Sequence, residues 1–250
     1  MPNSLISLKE VNLTFDGQNL YHPSISFSLQ PGERCLLFGP SASGKTVLFK
    51  LLAGLQSYTQ GELLWKGEPL PKGRKRVNAR NQLMSIIPSS FAFINGLSVK
   101  ENILLPARLT SLPKQLLEER YQELLELLNF SSENTAMQKL SLGQLVAQKN
   151  IRGLSNGQKE VVALARGLIL PTPLLLADEL LRSFNAEAEL LIWQRLISWL
   201  KKQQQSLFMI THKEHLMTSL TNQDICSVFR INSGQLEKQT SVWSTTSEML

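Results

Sequence analysis

Gly39-Pro40-Ser41-Ala42-Ser43-Gly44-Lys45-Thr46 is a full match to the pattern G-x-x-x-x-G-K-[ST], and this stretch decides the fold. The preceding Arg34-Cys35-Leu36-Leu37-Phe38 is apolar and strand-like, while Val47-Leu48-Phe49-Lys50-Leu51-Leu52-Ala53 has helical spacing. A strand, a glycine-bounded turn and a helix N-terminus aim backbone N–H groups at one point, which suits a polyphosphate anion. In that frame Lys45 reaches the outer phosphates and the Thr46 hydroxyl holds Mg²⁺. A chance loop containing glycine, lysine and threonine has no reason to carry both flanks, so the phosphate reading is preferred.

Outward from this loop the pattern is mixed α/β. Residues 5–30 alternate through Leu5-Ile6-Ser7-Leu8, Val11-Asn12-Leu13-Thr14-Phe15 and Ile25-Ser26-Phe27-Ser28-Leu29, with Asp16-Gly17 and Pro31-Gly32 as turns. Gly61 to Gly67 reads as a further short strand. From about 98 to 167 the signal is helical. Ser98-Val99-Lys100-Glu101 has capping-box spacing, and Leu116-Leu117 and Leu124-Leu125-Leu127-Leu128 recur at three-to-four spacing. Then come the strand Leu174-Leu175-Leu176-Ala177, a helix over 186–203, the strand Leu207-Phe208-Met209-Ile210 and a terminal strand Val228-Phe229-Arg230-Ile231 with a turn at Asn232-Ser233-Gly234. The last residues, 241–250, form a polar tail.

The 250 residues suffice for an adequate core, and 42% hydrophobic with 18% charged residues excludes a disordered chain. No apolar run approaches the ~20 residues of a membrane-spanning helix. Met1-Pro2-Asn3-Ser4 runs into a strand pattern without the basic and apolar segments of a signal peptide. Cys35 and Cys226 sit in apolar stretches and read as reduced core residues, as in the cytosol. The net charge of +6 is densest at Lys72, Arg74, Lys75, Arg76 and Arg80. No aromatic residues interleave there, so a solvated face, or one near anionic lipid headgroups, is expected rather than specific nucleic-acid binding.

Further stretches fall in line with the phosphate loop. Leu154-Ser155-Asn156-Gly157-Gln158 opens a helix, Leu174 to Ala177 ends on Asp178-Glu179, and Met209-Ile210-Thr211 ends on His212. Together these resemble the nucleotide-binding subunit of an ABC transporter over essentially the whole chain, Leu154–Gln158 being similar to that family's signature Leu-Ser-Gly-Gly-Gln. The resemblance implies a P-loop NTPase core with an N-terminal antiparallel β subdomain and a helical signature-motif subdomain. It implies one ATPase domain over 1–240, with the helical part, about 90–165, inserted in the α/β core. Asp178 is then expected to bind Mg²⁺ and Glu179 to activate water. His212 is expected to contact the γ-phosphate and Phe15 to stack on adenine. Gly39, Pro40, Ser41, Ala42, Ser43, Gly44, Lys45, Thr46 and Val47 enclose the phosphates, and Ser155, Asn156, Gly157 and Gln158 approach the ATP of a second subunit.

The chain departs from that pattern in several places. Ser89 stands where the family has a glutamine that helps hold Mg²⁺, so its shorter hydroxyl acts through a water. Leu180-Leu181 replaces Pro-Thr, Asn185 replaces an aspartate, and Ala42 replaces the third glycine of the family's loop. These suggest slowed or asymmetric hydrolysis. Residues 140–153 also resemble the signature region 154–167, through Leu140-Ser141-Leu142-Gly143-Gln144, but only the second copy keeps the spacing to Asp178.

The expected function is ATP hydrolysis that energises transport through a separate membrane permease, at the cytoplasmic face of the inner membrane. A homodimer is expected, with a heterodimer as the alternative. Glu101-Asn102-Ile103-Leu104-Leu105-Pro106 is similar to the lipoprotein-release, macrolide-export and cell-division branch, which suggests export or envelope work. Phe91, Phe93, Ile94 and Leu97 are either the surface that receives the permease or core packing. The competing class is a nucleotide-dependent switch with little turnover, motivated by Ser89 and Asn185. A DNA-repair or ribosome-associated relative would carry a coiled-coil insert or a second cassette, and neither is present.

Overall fold

The computed structural model describes residues 4–15, 17–110, 112–131, 133–148, 150–213, 225 and 227–239. Cys226 and the tail 241–250 lie outside the described residues. The chain forms two units: one from the described residues up to Met84, Thr172–Glu179 and those from Gln203 on, the other from Ser85–Pro171 and Leu180–Lys202.

The first unit begins with β1 (Ile6–Asn12), the short pair β2 (Thr14–Phe15) and β3 (Gln18–Asn19), β4 (Ile25–Leu29) and β5 (Arg34–Phe38). Then follow α1 (Lys45–Leu52), β6 (Gln60–Trp65), β7 (Glu68–Pro69) and α2 (Arg74–Leu83). An antiparallel sheet has the order β4-β1-β6-β7. Period-two alternation puts Ile6 opposite Leu29 and Trp65, and Leu8 opposite Phe27 and Leu63, all buried. A bulge in β1 puts Glu10 at φ 49°. A Cβ at Gly61 would lie 2.3 Å from Glu10 O, so the strand crosses the bulge only as glycine.

The chain passes into the second unit at β8 (Met84–Ile87). This unit carries α3 (Val99–Leu104), α4 (Lys114–Leu127), α5 (Thr135–Gln138), α6 (Leu142–Ala147), α7 (Asn156–Leu168) and α8 (Ala186–Lys202). The expected capping box is present: Ser98 Oγ accepts from Glu101 N and Glu101 accepts from Ser98 N. α7 packs on α3 and α6, and α4 on α8. Buried Val161, Leu164, Leu168, Trp193 and Leu196 supply the core. Arg120, only 5% exposed, donates to Leu168 O at 2.7 Å and Ile169 O at 3.1 Å, satisfying carbonyls at the end of α7.

Back in the first unit run β9 (Leu174–Asp178), β10 (Ser206–Ile210), β11 (Ser227–Asn232) and β12 (Gln235–Lys238). They complete a second sheet containing the order β12-β11-β5-β10-β9, parallel except at β12. β9 and β10 are buried throughout, which is why both read as unbroken apolar runs. Asp178 is level with Ile210, and Ile210 with Leu37, so three strand ends deliver their following residues to one edge. Functional groups collect at such carboxyl ends.

Candidate functional site

β5 stops at Phe38 and α1 starts at Lys45, with N-cap Gly44 offering no side-chain acceptor to the first turn. The N–H groups of that turn therefore face outward for an anion. Gly39 leaves β5 beside Ile231, whose carbonyl oxygen would lie 2.1 Å from a Cβ at this position. Tyr21 braces the loop from behind. Its fully buried phenol donates to Gly44 O at 3.1 Å, and burial pushes its pKa up, keeping it a donor. Asn12 fixes Tyr21 in turn, accepting from its N–H and donating to its carbonyl.

Lys45 is 5% exposed, and its Nζ donates to Gly39 O at 2.8 Å and Pro40 O at 2.6 Å. Burial lowers its pKa, while the negative charges of Glu179 and Asp178 raise it. Those carboxylates thus share its electrostatic surroundings. Ser41, Ala42 and Thr46 are exposed, Val47 is half-buried, and Ser43 is buried, its hydroxyl without a hydrogen-bond partner among the described residues.

Asp178, 4% exposed, closes β9. Glu179 follows at φ 55°, its N–H donating to Ile210 O at 3.0 Å. Its Oε1 lies 2.6 Å from Nε2 of His212, which follows β10. The loop, Asp178, Glu179 and His212 therefore stand together in the first unit. The Thr46 hydroxyl and Asp178 carboxylate suit Mg²⁺, a hard ion that keeps several waters and takes few protein oxygens. Among the described residues no group of three or more His, Cys, Asp or Glu forms a metal cage. The adenine contact of Phe15 concerns a side chain outside what is described.

Ser89 and the Ser155–Gln158 segment belong to the second unit. Ser89 is half-buried beyond β8. Ser155 is exposed and caps α7 in a reciprocal box: its Oγ accepts from Gln158 N at 3.3 Å, and its N–H donates to Gln158 Oε1 at 2.9 Å. Asn156 is exposed, and Gly157 faces the Phe184 ring, 3.4 Å from where a Cβ would stand. The look-alike Ser141 is buried; its hydroxyl accepts from Phe130 N at 2.8 Å and makes no cap bond to α6. Asn185 caps α8 by accepting from Ala188 N at 3.0 Å. Phe91, Phe93 and Leu97 are half-buried and Ile94 is 46% exposed, so this stretch is surface rather than core. Arg166 holds it by donating to the Phe91 and Ala92 carbonyls and lying over the Phe93 ring. Tyr21 escaped the sequence reading because nothing in its local pattern announces a contact with Gly44.

Residues 23–182 match the sequence profile of the ABC transporter family. The chain is 27% identical over 241 residues to a spermidine/putrescine import ATP-binding protein of Legionella pneumophila, covering 95% of this chain and 59% of that protein's length. It is 27% identical over 213 residues to the ABC transporter ATP-binding protein YxdL of Bacillus subtilis, covering 84% of this chain and 78% of that one. Among solved structures, it matches the dimeric structure of MJ0796, a bacterial ABC transporter cassette, with a TM-score of 0.75 and 20% identity. That match covers 93% of this chain and 98% of the other, and it speaks to the fold.

Proposed function

From the premise that the chain belongs to the ABC transporter family, we propose that it is an ATP-hydrolysing subunit driving a separate membrane permease. The observation that carries this reading is the Glu179–His212 contact of 2.6 Å, on the sheet edge that also bears the Lys45 loop. ATP lies with its phosphates over residues 39–47 and its adenine on Phe15. Lys45 exchanges the Gly39 and Pro40 carbonyls for phosphate oxygens. Glu179 orients water and takes its proton as the water oxygen bonds the γ-phosphorus and the bridging oxygen leaves with ADP. His212 holds the Glu179 carboxylate and contacts the γ-phosphate. Thr46 and Asp178 would hold Mg²⁺, which would supply charge neutralisation at the phosphates.

One ATPase domain over 1–240, with the helical part at about 90–165, works as a homodimer, or as a heterodimer in the alternative. Ser155, Asn156, Gly157 and Gln158 of one copy meet the nucleotide of the other. The exposed Phe91–Leu97 surface receives the permease at the cytoplasmic face of the inner membrane. Among the described residues no helix is long and apolar enough to cross a membrane. The segment Glu101–Pro106 supports export or envelope work, whereas the import activity named above belongs to the Legionella relative.

Phosphate release from Mg-ATP, measured with and without the co-purified permease, tests this. Glu179-dependent turnover is expected. Nucleotide-driven dimerisation without any Glu179-dependent turnover in the presence of the permease would favour the switch.

A further inference from the structure

The helix α2 has no task in the nucleotide chemistry, yet it carries the densest charge of the chain. Five cations, Lys72, Arg74, Lys75, Arg76 and Arg80, stand within residues 72–80. No Asp or Glu lies between Glu68 and Glu101, so no acidic neighbour in the chain offsets them. None of the five makes an ion pair among the described residues. Lys72, Arg74 and Lys75 are exposed and Arg76 and Arg80 half-buried, all in the first unit. Only Leu83 of the helix is buried, so core packing accounts for little of its sequence.

A face meant only for solvent has no reason to take this arrangement. Arg74, Lys75 and Arg76 fill the first turn, where the helix dipole disfavours positive charge, and neither an acidic residue nor a capping side chain offsets them. Arg80 stands one turn beyond Arg76; burial and then the charge of Arg76 lower its pKa. A negatively charged surface laid against α2 relieves this crowding. Clusters of about four to eight Lys and Arg on a helix suit anionic lipid headgroups, which ask for charge rather than a fixed geometry. Val77, 43% exposed among the cations, adds an apolar side chain suited to the headgroup boundary. No aromatic residue lies between Trp65 and Phe91, so nucleic-acid bases would find nothing to stack on.

We propose that Lys72 and α2 form a contact surface for anionic phospholipid headgroups. The choice of lipid over nucleic acid rests on the functional reading, which sets the chain against a membrane, but the contact itself needs no nucleotide. Each Lys or Arg close to such a membrane contributes about fivefold in affinity. The attraction fades within a Debye length, about 8 Å at physiological salt.

Co-sedimentation of the full chain with vesicles at about 0.15 M salt provides the test, using phosphatidylcholine alone or with about one-third phosphatidylglycerol. Binding is expected on the anionic vesicles and not on the neutral ones. The double variant Arg74→Gln/Lys75→Gln should weaken it about 20-fold or more, two charges at about fivefold each. Arg76 is left in place because its Nε donates to Pro71 O at 2.8 Å. Glutamine is a good helix former and removes the conflict with the dipole, so this variant should melt no lower than the parent. Lys201→Gln/Lys202→Gln takes the same charge from the end of α8 and should keep vesicle affinity within about twofold. Equal binding by the parent and Arg74→Gln/Lys75→Gln overturns the proposal, as does an equal loss in the α8 variant or a parent that ignores anionic vesicles. Tighter binding to a short DNA duplex or RNA strand than to the vesicles overturns it in favour of nucleic acid. Failure of the functional reading shows separately, as an ATP affinity that Lys45→Ala leaves intact.

Discussion

Oε1 of Glu179 and Nε2 of His212, 2.6 Å apart, join the ends of two adjacent parallel strands whose Asp178 and Ile210 are level. Glu179 is held at two points: its backbone N–H donates to Ile210 O, and the imidazole fixes its carboxylate oxygen. Glu179 also adopts φ 55°, a left-handed conformation that costs a non-glycine residue about 1–2 kcal/mol. Strain kept at such a position is what a functional constraint produces. Glu179→Gln preserves shape while removing the base, so phosphate release should fall about 100-fold or more. ATP affinity, measured by filter binding, should stay within about threefold because the loop is untouched. His212→Ala should also lower turnover without weakening ATP comparably. Turnover unaffected by either change would remove both residues from the chemistry.

Ala42 adopts φ 62° where the resembled family has glycine. The left-handed cost of about 1–2 kcal/mol is offset in Ala42→Gly by glycine's greater unfolded-state freedom, about 0.5–1 kcal/mol. The variant should therefore be more stable by about 0.5–1 kcal/mol, raising Tm by about 1–4 °C in a chain of this size. Scanning calorimetry checks this. A lower Tm would mean that the exposed methyl makes contacts outweighing the strain.

Much of the fold was readable where burial writes a pattern. β9 and β10 are buried on both faces and show as apolar runs, and α3 and α7 begin with capping boxes that local chemistry dictates. α2 was invisible because only Leu83 of its residues is buried, so no apolar periodicity marks it. Its first turn also carries Arg74, Lys75 and Arg76, against the helix dipole. The loop, Asp178, Glu179 and His212 were legible because each ends or follows an apolar strand. Tyr21 was not, since its role comes from a contact with Gly44, distant in sequence.

Ser141 and Ser155 share a local sequence but not a task. Ser141→Ala strands the buried N–H of Phe130, costing about 1–3 kcal/mol of stability. ATP-driven dimerisation, once corrected for folded fraction, should survive it. Ser155→Ala removes an exposed cap worth about 1 kcal/mol. On the proposed function it should abolish dimerisation in a Glu179→Gln background. Sedimentation velocity with ATP compares the two. Loss of the dimer in Ser141→Ala alone would assign the signature role to the first copy.

Glu160, fully buried on α7, accepts from Ser183 Oγ at 2.7 Å and Ser183 N at 3.2 Å, with Arg182 Nε at 3.9 Å. A buried carboxylate is tolerated only with such partners. Here they tie α7 to the segment that follows Glu179 in the chain. Glu160→Ala leaves two donors on Ser183 without an acceptor and should cost about 2–4 kcal/mol. At about 2–4 °C per kcal/mol, Tm should drop by roughly 5–15 °C. Glu160→Gln keeps an acceptor at the same place, so its loss should be smaller, about 1 kcal/mol. The ordering of the two variants is the informative part. If Gln were as damaging as Ala, the charge on Glu160 would matter more than its hydrogen bonds, and Arg182 rather than Ser183 would be the partner that counts.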